Sequence, residues 1–278
     1  MNAVNALLQP LQAAAQAVHV ETAVFPGFAG KVEARLYRPA NSGAAESGAK
    51  PLPVVLYFHG GGFVAGSLDD AEVPARYIAE HVNAAVLSIA YSLAPAHPFP
   101  AAPEDAHAAA TWLVKNAKNL KLDATRIGVA GDDAGGNIAA SLAMIARDRN
   151  GPAIAAQVLI GPMLDPSMTR LGDADSLRSD LKPETCAACY AKYLPRTVER
   201  MHPYASPLGS RRLAGLPPTL LLTGERDVLH KESEQYAGAL IAAGVPTQIT
   251  RFGVDHAGLH EHTPLLAEAA DFLKRHLF

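Results

Sequence analysis

Arg126-Ile127-Gly128-Val129-Ala130-Gly131-Asp132-Asp133-Ala134-Gly135-Gly136-Asn137-Ile138-Ala139-Ala140 decides how this chain folds. An apolar run of strand character enters a Gly-x-x-x-Gly turn, and a helix-like run leaves it. Small residues on both sides let such a turn be sharp enough to lift its middle side chain, here Asp133, clear of the backbone. A strand–turn–helix of this form presents a nucleophile, ordinarily a hydroxyl. Asp133 supplies a carboxylate instead. The stretch therefore says where chemistry sits and leaves open which chemistry it is.

Outward from this turn, strand and helix alternate. Upstream lie an N-terminal helix over about Ala3 to Val18, strands at Val20–Phe25 and Val32–Tyr37, and a Gly/Ala/Ser-rich loop from Asn41 to Lys50. Val54–Phe58 and Ala84–Ile89 are continuous apolar runs of the kind that form buried parallel strands. Ala102–Asn116 and Asn137–Arg147 read as helices, Ala156–Ile160 and Thr219–Thr223 as strands. Glu232–Ala243 is a helix stopped by Gly244, followed by strand Thr247–Phe252 and helix Pro264–Leu277. This order implies an α/β fold with a mostly parallel central sheet and helices on both faces. Residues 166–207 break the rhythm, carrying Pro183, Pro195, Pro203 and Pro207. They are expected to form a small cap insertion over the strand ends of a single domain spanning 1–278, with 1–22 as a short N-terminal helical lead.

Composition narrows the class. The chain has 278 residues, 49% hydrophobic and 18% charged, which suits a folded protein with a large core. A net charge of −3 gives no basic surface for nucleic acid. No apolar stretch approaches the ~20 residues of a bilayer span, and the N-terminus lacks the positive region of a secretory signal. With Cys186 and Cys189 alone there is no disulfide framework, so a cytoplasmic location is expected. Cys186-Ala-Ala-Cys189 has redox spacing, but it follows Pro183 in the first turns of a helix rather than a strand end, and two thiols are too few for a metal. No cofactor is expected.

A chemical constellation surrounds the turn. His59-Gly60-Gly61-Gly62 directly follows the buried strand, and the N–H groups of Gly61 and Gly62, with that of Ala134, are placed to bind an oxyanion. Leu220–Asp227 puts Asp227 just past a strand end, and Gly253-Val254-Asp255-His256 puts His256 in the loop after the next strand. Asp133, Asp227 and His256 thus follow the chain order nucleophile, acid, histidine, with Asp227 orienting the imidazole.

Together with Tyr91-Ser92-Leu93-Ala94-Pro95-Ala96-His97-Pro98-Phe99-Pro100 and His202-Pro203-Tyr204-Ala205-Ser206-Pro207-Leu208, these segments resemble the hormone-sensitive-lipase family of bacterial esterases, of the α/β-hydrolase fold. The resemblance runs from about Phe25 to the C-terminus. It implies an esterase or lipase-like hydrolase acting on a small, apolar, ester-like molecule. It also implies pairing through a C-terminal strand or helix at the sheet edge, hence a possible homodimer. The family's turn reads Gly-Asp-Ser-Ala-Gly-Gly, so Asp133 stands in place of its serine. The family also commonly has a longer N-terminal cap, and Ala257 replaces the glycine after its histidine.

Four readings of Asp133 follow. In the first it is a carboxylate nucleophile, as in the haloalkane dehalogenases and epoxide hydrolases of the same fold, though Ala134 stands where those enzymes usually have tryptophan. The sole tryptophan, Trp112, lies in a helix; Tyr190, Tyr193 and Tyr204 are the candidate cap donors for epoxide opening, or else core aromatics. Alternatively, Asp133 and His256 hydrolyse activated esters weakly without a serine. Or the scaffold binds a small molecule without catalysis, or Asp133 is an exchange introduced into a serine esterase. Under every reading, His256 lies between two carboxylates, and its pKa is expected well above that of free histidine.

Smaller signals have plainer readings. His256, His260 and His262 read as a solvated helix start rather than a metal site. Glu104 and Asp105 complement a helix dipole, Asp132 is structural, and Arg196, Arg200, Arg211 and Arg212 are solvated.

Overall fold

The computed structural model describes residues 18–40 and 50–278. Eight strands form one sheet: β1 Val18–Pro26, β2 Lys31–Pro39, β3 Leu52–Phe58, β4 Ala85–Ala90, β5 Leu122–Asp132, β6 Ile154–Ile160, β7 Thr219–Arg226 and β8 Thr247–Asp255. Their order is β1-β2-β4-β3-β5-β6-β7-β8. β1 and β2 pair antiparallel, as do β2 and β4, while every other pair is parallel. All seven residues of β3 are buried, as expected for a strand covered on both faces. β1 lies at the sheet edge and alternates in exposure.

Helices α1 Glu72–Val82 and α7 Thr263–Leu277 bury one face of the sheet. Helices α2 Ala101–Asn116, α3 Ala134–Asp148 and α6 His230–Ala242 bury the other. The α/β architecture read from the apolar runs is therefore present. Between β6 and β7 lie the short helix α4 Ala174–Leu177, helix α5 Pro183–Tyr193, and two 3₁₀ turns, Thr197–Met201 and Pro207–Gly209.

Some local expectations differ. The N-terminal helix and the Asn41–Lys50 loop fall almost wholly outside the described residues. Val18–Thr22, assigned to the N-terminal lead, belongs to β1, whose ladder with β2 runs from Val18 to Pro26. Asp105 does more than face a helix dipole. It is buried, and its carboxylate accepts the N–H groups of Phe28 at 2.7 Å and Ser92 at 2.9 Å, tying the β1–β2 turn to the loop after β4. Three of the four arginines taken as solvated are engaged: Arg196 with Glu199, Arg200 with the Pro166 carbonyl, Arg212 with Asp148.

Strand order positions the site. After β3 the chain passes to β4 on one side, then returns to place β5 on the other. The loops leaving β3 and β5 therefore diverge from adjacent strand ends, opening a crevice between them. Phe58 pairs with Gly131, so His59–Gly62 and Asp132–Asp133 emerge side by side.

Candidate active site

Asp133 sits at the tip between β5 and α3 with φ 53° and ψ −117°. That backbone is costly for a residue with a Cβ, on the order of 1–3 kcal/mol, and persists only where the surroundings enforce it. Here the Asp133 N–H donates to the Ile160 carbonyl (2.9 Å), and its own carbonyl accepts from the Met163 N–H (3.1 Å). Gly135 makes the sharp turn possible, because a Cβ there would collide with the carbonyl oxygen of Phe58 at the end of β3. Gly and Ala in the first turn of α3 thus let the helix close against the strand.

The carboxylate of Asp133 lies against the glycine loop. Its Oδ2 accepts the N–H of Gly61 at 2.9 Å and of Gly62 at 2.8 Å. Ala134 opens α3, so its N–H is a first-turn donor without an intrahelical acceptor. The loop is buttressed by His59, which is buried, stacks on Tyr91 with ring centres 4.3 Å apart, and accepts the Tyr91 hydroxyl on its carbonyl at 2.8 Å. Burial holds the His59 pKa below the ordinary histidine value.

Behind Asp133, the other oxygen, Oδ1, is 3.8 Å from His256 Nε2. His256 Nδ1 is 3.0 Å from Oδ2 of Asp227, which is fully buried and also accepts the Leu229 N–H. Asp133, His256 and Asp227 are therefore brought together in a row. Burial of His256 works to lower its pKa. The charges of Asp227, Asp133 and Asp180, with the Asp227 hydrogen bond, outweigh it and raise the value to about 10. The flanking carboxylates predict this direction, and the imidazole carries its second proton at neutral pH.

A cavity of about 540 Å³ opens onto these groups. Gly60–Gly62, Val64 and Ala65 form one wall, and Leu181, Thr185, Cys186 and Cys189 of the β6–β7 segment face it. Cys189 packs so close to Gly62 that a Cβ there would lie 2.5 Å from its Sγ. Both cysteines are free thiols on α5, and burial pushes both upward in pKa, opposite to a redox-active thiol. Asp132, taken as structural, accepts the Tyr57 hydroxyl at 2.8 Å and also reaches the cavity, with its pKa raised to about 6 by burial.

Several sequence-derived candidates are not brought to the cavity. Tyr190 and Tyr193 pack on Phe63 in the core, Tyr193 stacked at 3.9 Å, and the Tyr204 hydroxyl donates to Asp148. Trp112 stacks on Phe25. Aromatic packing claimed these rings, so none lines the cavity. His260 lines it, whereas His262 packs on Phe252, and no group of three or more metal-ligating side chains is assembled among the described residues. Asp180 was missed: its carboxylate accepts the N–H groups of His256 (3.0 Å) and Ala257 (2.9 Å). A lone aspartate in a polar segment gives no sequence signal for that contact.

A family model described as the alpha/beta hydrolase fold matches residues 55–259, which contain the glycine loop, Asp133, Asp180, Asp227 and His256. The chain belongs to the α/β-hydrolase family. It is 39% identical to Esterase LipI of Mycobacterium tuberculosis over 84% of this chain and 74% of that protein. Carboxylesterase NlhH of the same organism is 42% identical over 72% of this chain, an alignment that spans 64% of NlhH. Among solved structures, the hyperthermophilic esterase of Pyrobaculum calidifontis superposes with a TM-score of 0.84 at 36% identity, covering 96% of this chain and 87% of that one. The carboxylesterase EstE1 from a metagenomic library superposes with a TM-score of 0.86 at 34% identity, covering 97% and 94%. This α/β-hydrolase thus resembles esterases over nearly its whole length. No helix among the described residues is long and apolar enough to cross a membrane.

Proposed function

We propose that this α/β-hydrolase is a carboxylesterase-type enzyme for small apolar esters, with Asp133 in the nucleophile position, Asp227 and His256 behind it and Gly61, Gly62 and Ala134 as its oxyanion hole. Its ester hydrolysis is held low by Asp133 itself. One observation carries this reading: Asp133 Oδ2 already accepts both glycine N–H groups. A carboxylate oxygen there occupies the place where an ester's tetrahedral oxyanion would form. An incoming ester meets a filled hole and an imidazolium that has no lone pair for general-base work.

With serine at position 133, the hole would be open, and His256 would lose one of the carboxylates that hold its second proton. Serine would add to the ester carbonyl while His256 took its proton, and the alkoxide would leave with that proton. Water activated by the same imidazole would then release the acid. The apolar lining from Val64, Met163, Leu181 and Leu259 suits short acyl chains.

The experiment compares short-chain nitrophenyl esters as substrates for the chain and for Asp133→Ser. We expect kcat/KM to rise by several orders of magnitude, toward the roughly 10⁶-fold loss seen when a serine nucleophile is removed from an otherwise intact site that keeps a residual of about 10³-fold over water. A serine variant that folds normally and hydrolyses no faster would overturn the reading.

A second reading draws on the same geometry. With Oδ2 held by two N–H groups, Oδ1 is free to displace a leaving group from a saturated carbon, and the resulting alkyl ester would have its carbonyl oxygen already in the hole. Among the described residues, the cavity lining offers this route neither a tryptophan nor a tyrosine for the leaving group. Incubation with haloalkanes and epoxides, followed by mass analysis of the elbow peptide, tests it. An alkyl adduct on Asp133 would replace the first reading.

A further inference from the structure

Among the described residues, β8 is an edge strand paired with β7 alone. The loop that carries His256 therefore leaves the sheet with support from one side only. Within the loop, the Gly258 N–H donates to Asp255 Oδ1 at 3.2 Å and the Leu259 N–H to the His256 carbonyl at 3.2 Å. The two amides that fix where the imidazole starts, those of His256 and Ala257, are taken by the two carboxylate oxygens of Asp180. Asp180 lies 76 residues upstream of His256, between α4 and α5. The next residue, Leu181, lines the cavity and donates its N–H to Asp180 Oδ1 at 3.0 Å.

We propose that Asp180 is a positioning residue for His256, a carboxylate from the β6–β7 segment that both fixes the backbone of the histidine and adds a negative charge beside its ring. The inference rests on the reading of His256 as the general base of ester hydrolysis. Asp227 alone sets the ring's tautomer through Nδ1, but it does not fix the peptide from which the ring projects. Asp180 supplies that second constraint, and it does so from the wall that shapes the substrate cavity.

Around the imidazole, Asp227 projects from the end of β7, Asp133 and Asp132 from the elbow, and Asp180 from the β6–β7 segment, while Asp255 precedes it and His260 follows. Asp180 is exposed, so its charge is screened more than that of Asp227. Its two backbone bonds and the nearby imidazolium nonetheless hold its own pKa below the ordinary aspartate value, against the effect of burial.

The test titrates the His256 ring by NMR in the chain as it stands, in Asp180→Asn and in Asp180→Glu. The same substitutions are then made on Asp133→Ser, reading kcat, KM and the acid limb of kcat/KM. Asparagine keeps the size and one acceptor but loses the charge. It is expected to lower the His256 pKa by about one pH unit. On the serine background it should lower kcat about tenfold with KM within about twofold, and move the acid limb down alongside the titration. Glutamate is expected to restore the titration more fully than kcat, since it returns the charge at a different reach.

An unmoved titration and an unmoved pH profile, with only the melting temperature lowered, would overturn the proposal and leave Asp180 a structural tie. The titration needs no turnover. An inert Asp133→Ser would therefore sink the ester reading while the NMR arm still decides the role of Asp180.

Discussion

Alkali should weaken this fold through one imidazole, and the effect should depend on Asp133. His256 has its pKa raised from 6.5 to about 10. A folded value above the unfolded one means that the protonated imidazole stabilises the native state fully below about pH 6.5, and that this stabilisation is lost as pH climbs through 10. Between pH 7 and pH 9 the linkage amounts to roughly 2–3 kcal/mol, taking 1.36 kcal/mol for each pH unit of difference between the two states. That is a large share of a typical folding free energy of about 5–15 kcal/mol. The perturbation is Asp133→Asn. It keeps the shape of the side chain and an acceptor for Gly61 and Gly62, and removes the charge that faces Nε2 at 3.8 Å. The assay is equilibrium urea unfolding of both proteins at pH 7 and pH 9. Glu232, whose pKa burial raises to about 8, loses stability over the same direction of pH, but it is common to both proteins and cancels in the difference. Asparagine is expected to reduce the pH-dependent loss to about half. Equal losses in the two proteins would refute the claim that Asp133 holds the second proton on His256.

Gly135→Ala should cost about 3 kcal/mol or more or prevent folding, because the added methyl meets the Phe58 carbonyl, part of the rigid backbone beneath the site; thermal melting reads it. Glu232→Gln should raise stability at pH 6 and raise it by roughly 2–3 kcal/mol more at pH 9, since Glu232 stays neutral in the fold up to about pH 8 while the unfolded chain ionises it from about pH 4.5, and the amide still accepts the Leu164 and Asp165 N–H groups without ionising. A loss at both pH values would show that the charged carboxylate is needed there.

What was legible in the sequence was whatever small residues and apolar runs dictate locally. The elbow could be read because Gly131, Ala134, Gly135 and Gly136 leave few conformations besides a sharp turn into a helix, and β3 because Leu52–Phe58 is buried on both faces. Chain order alone placed Asp227 and His256 beyond their strands, where the structure brings them within 3.0 Å. Contacts between segments distant in sequence were not legible. Nothing local marks Asp180 as the acceptor of two amides 76 and 77 residues away, or Asp105 as the tie between the β1–β2 turn and the loop after β4. Tyr190 and Tyr193 were plausible acid donors only until the packing of Phe63 was known. Helix α1 escaped notice because Pro74 in its first turn masks an otherwise amphipathic run. The side-chain conformation of Asp133, with Oδ2 against the Gly61 and Gly62 N–H groups, was likewise invisible.

Two amides arranged to hold an oxyanion respond to charge and position, not to which molecule carries the oxygen. Asp133 brings its oxygen there without translational cost, since it is already part of the chain, so a substrate oxygen must compete with an effectively high local concentration of carboxylate. The adjacent imidazolium strengthens the hold. The Asp133 carboxylate in turn is one of the charges that keep the second proton on His256. Asp227 and Asp180 push the same way from the far side of the ring. Under the proposed function, the occupied hole and the protonated His256 are therefore one coupled state rather than two separate obstacles. Relieving either alone leaves the other in favour of restoring it. A neutral, shorter side chain at position 133 empties the hole and removes a carboxylate from the imidazole in a single step, and that is why serine there should recover far more activity than pH or substrate concentration can.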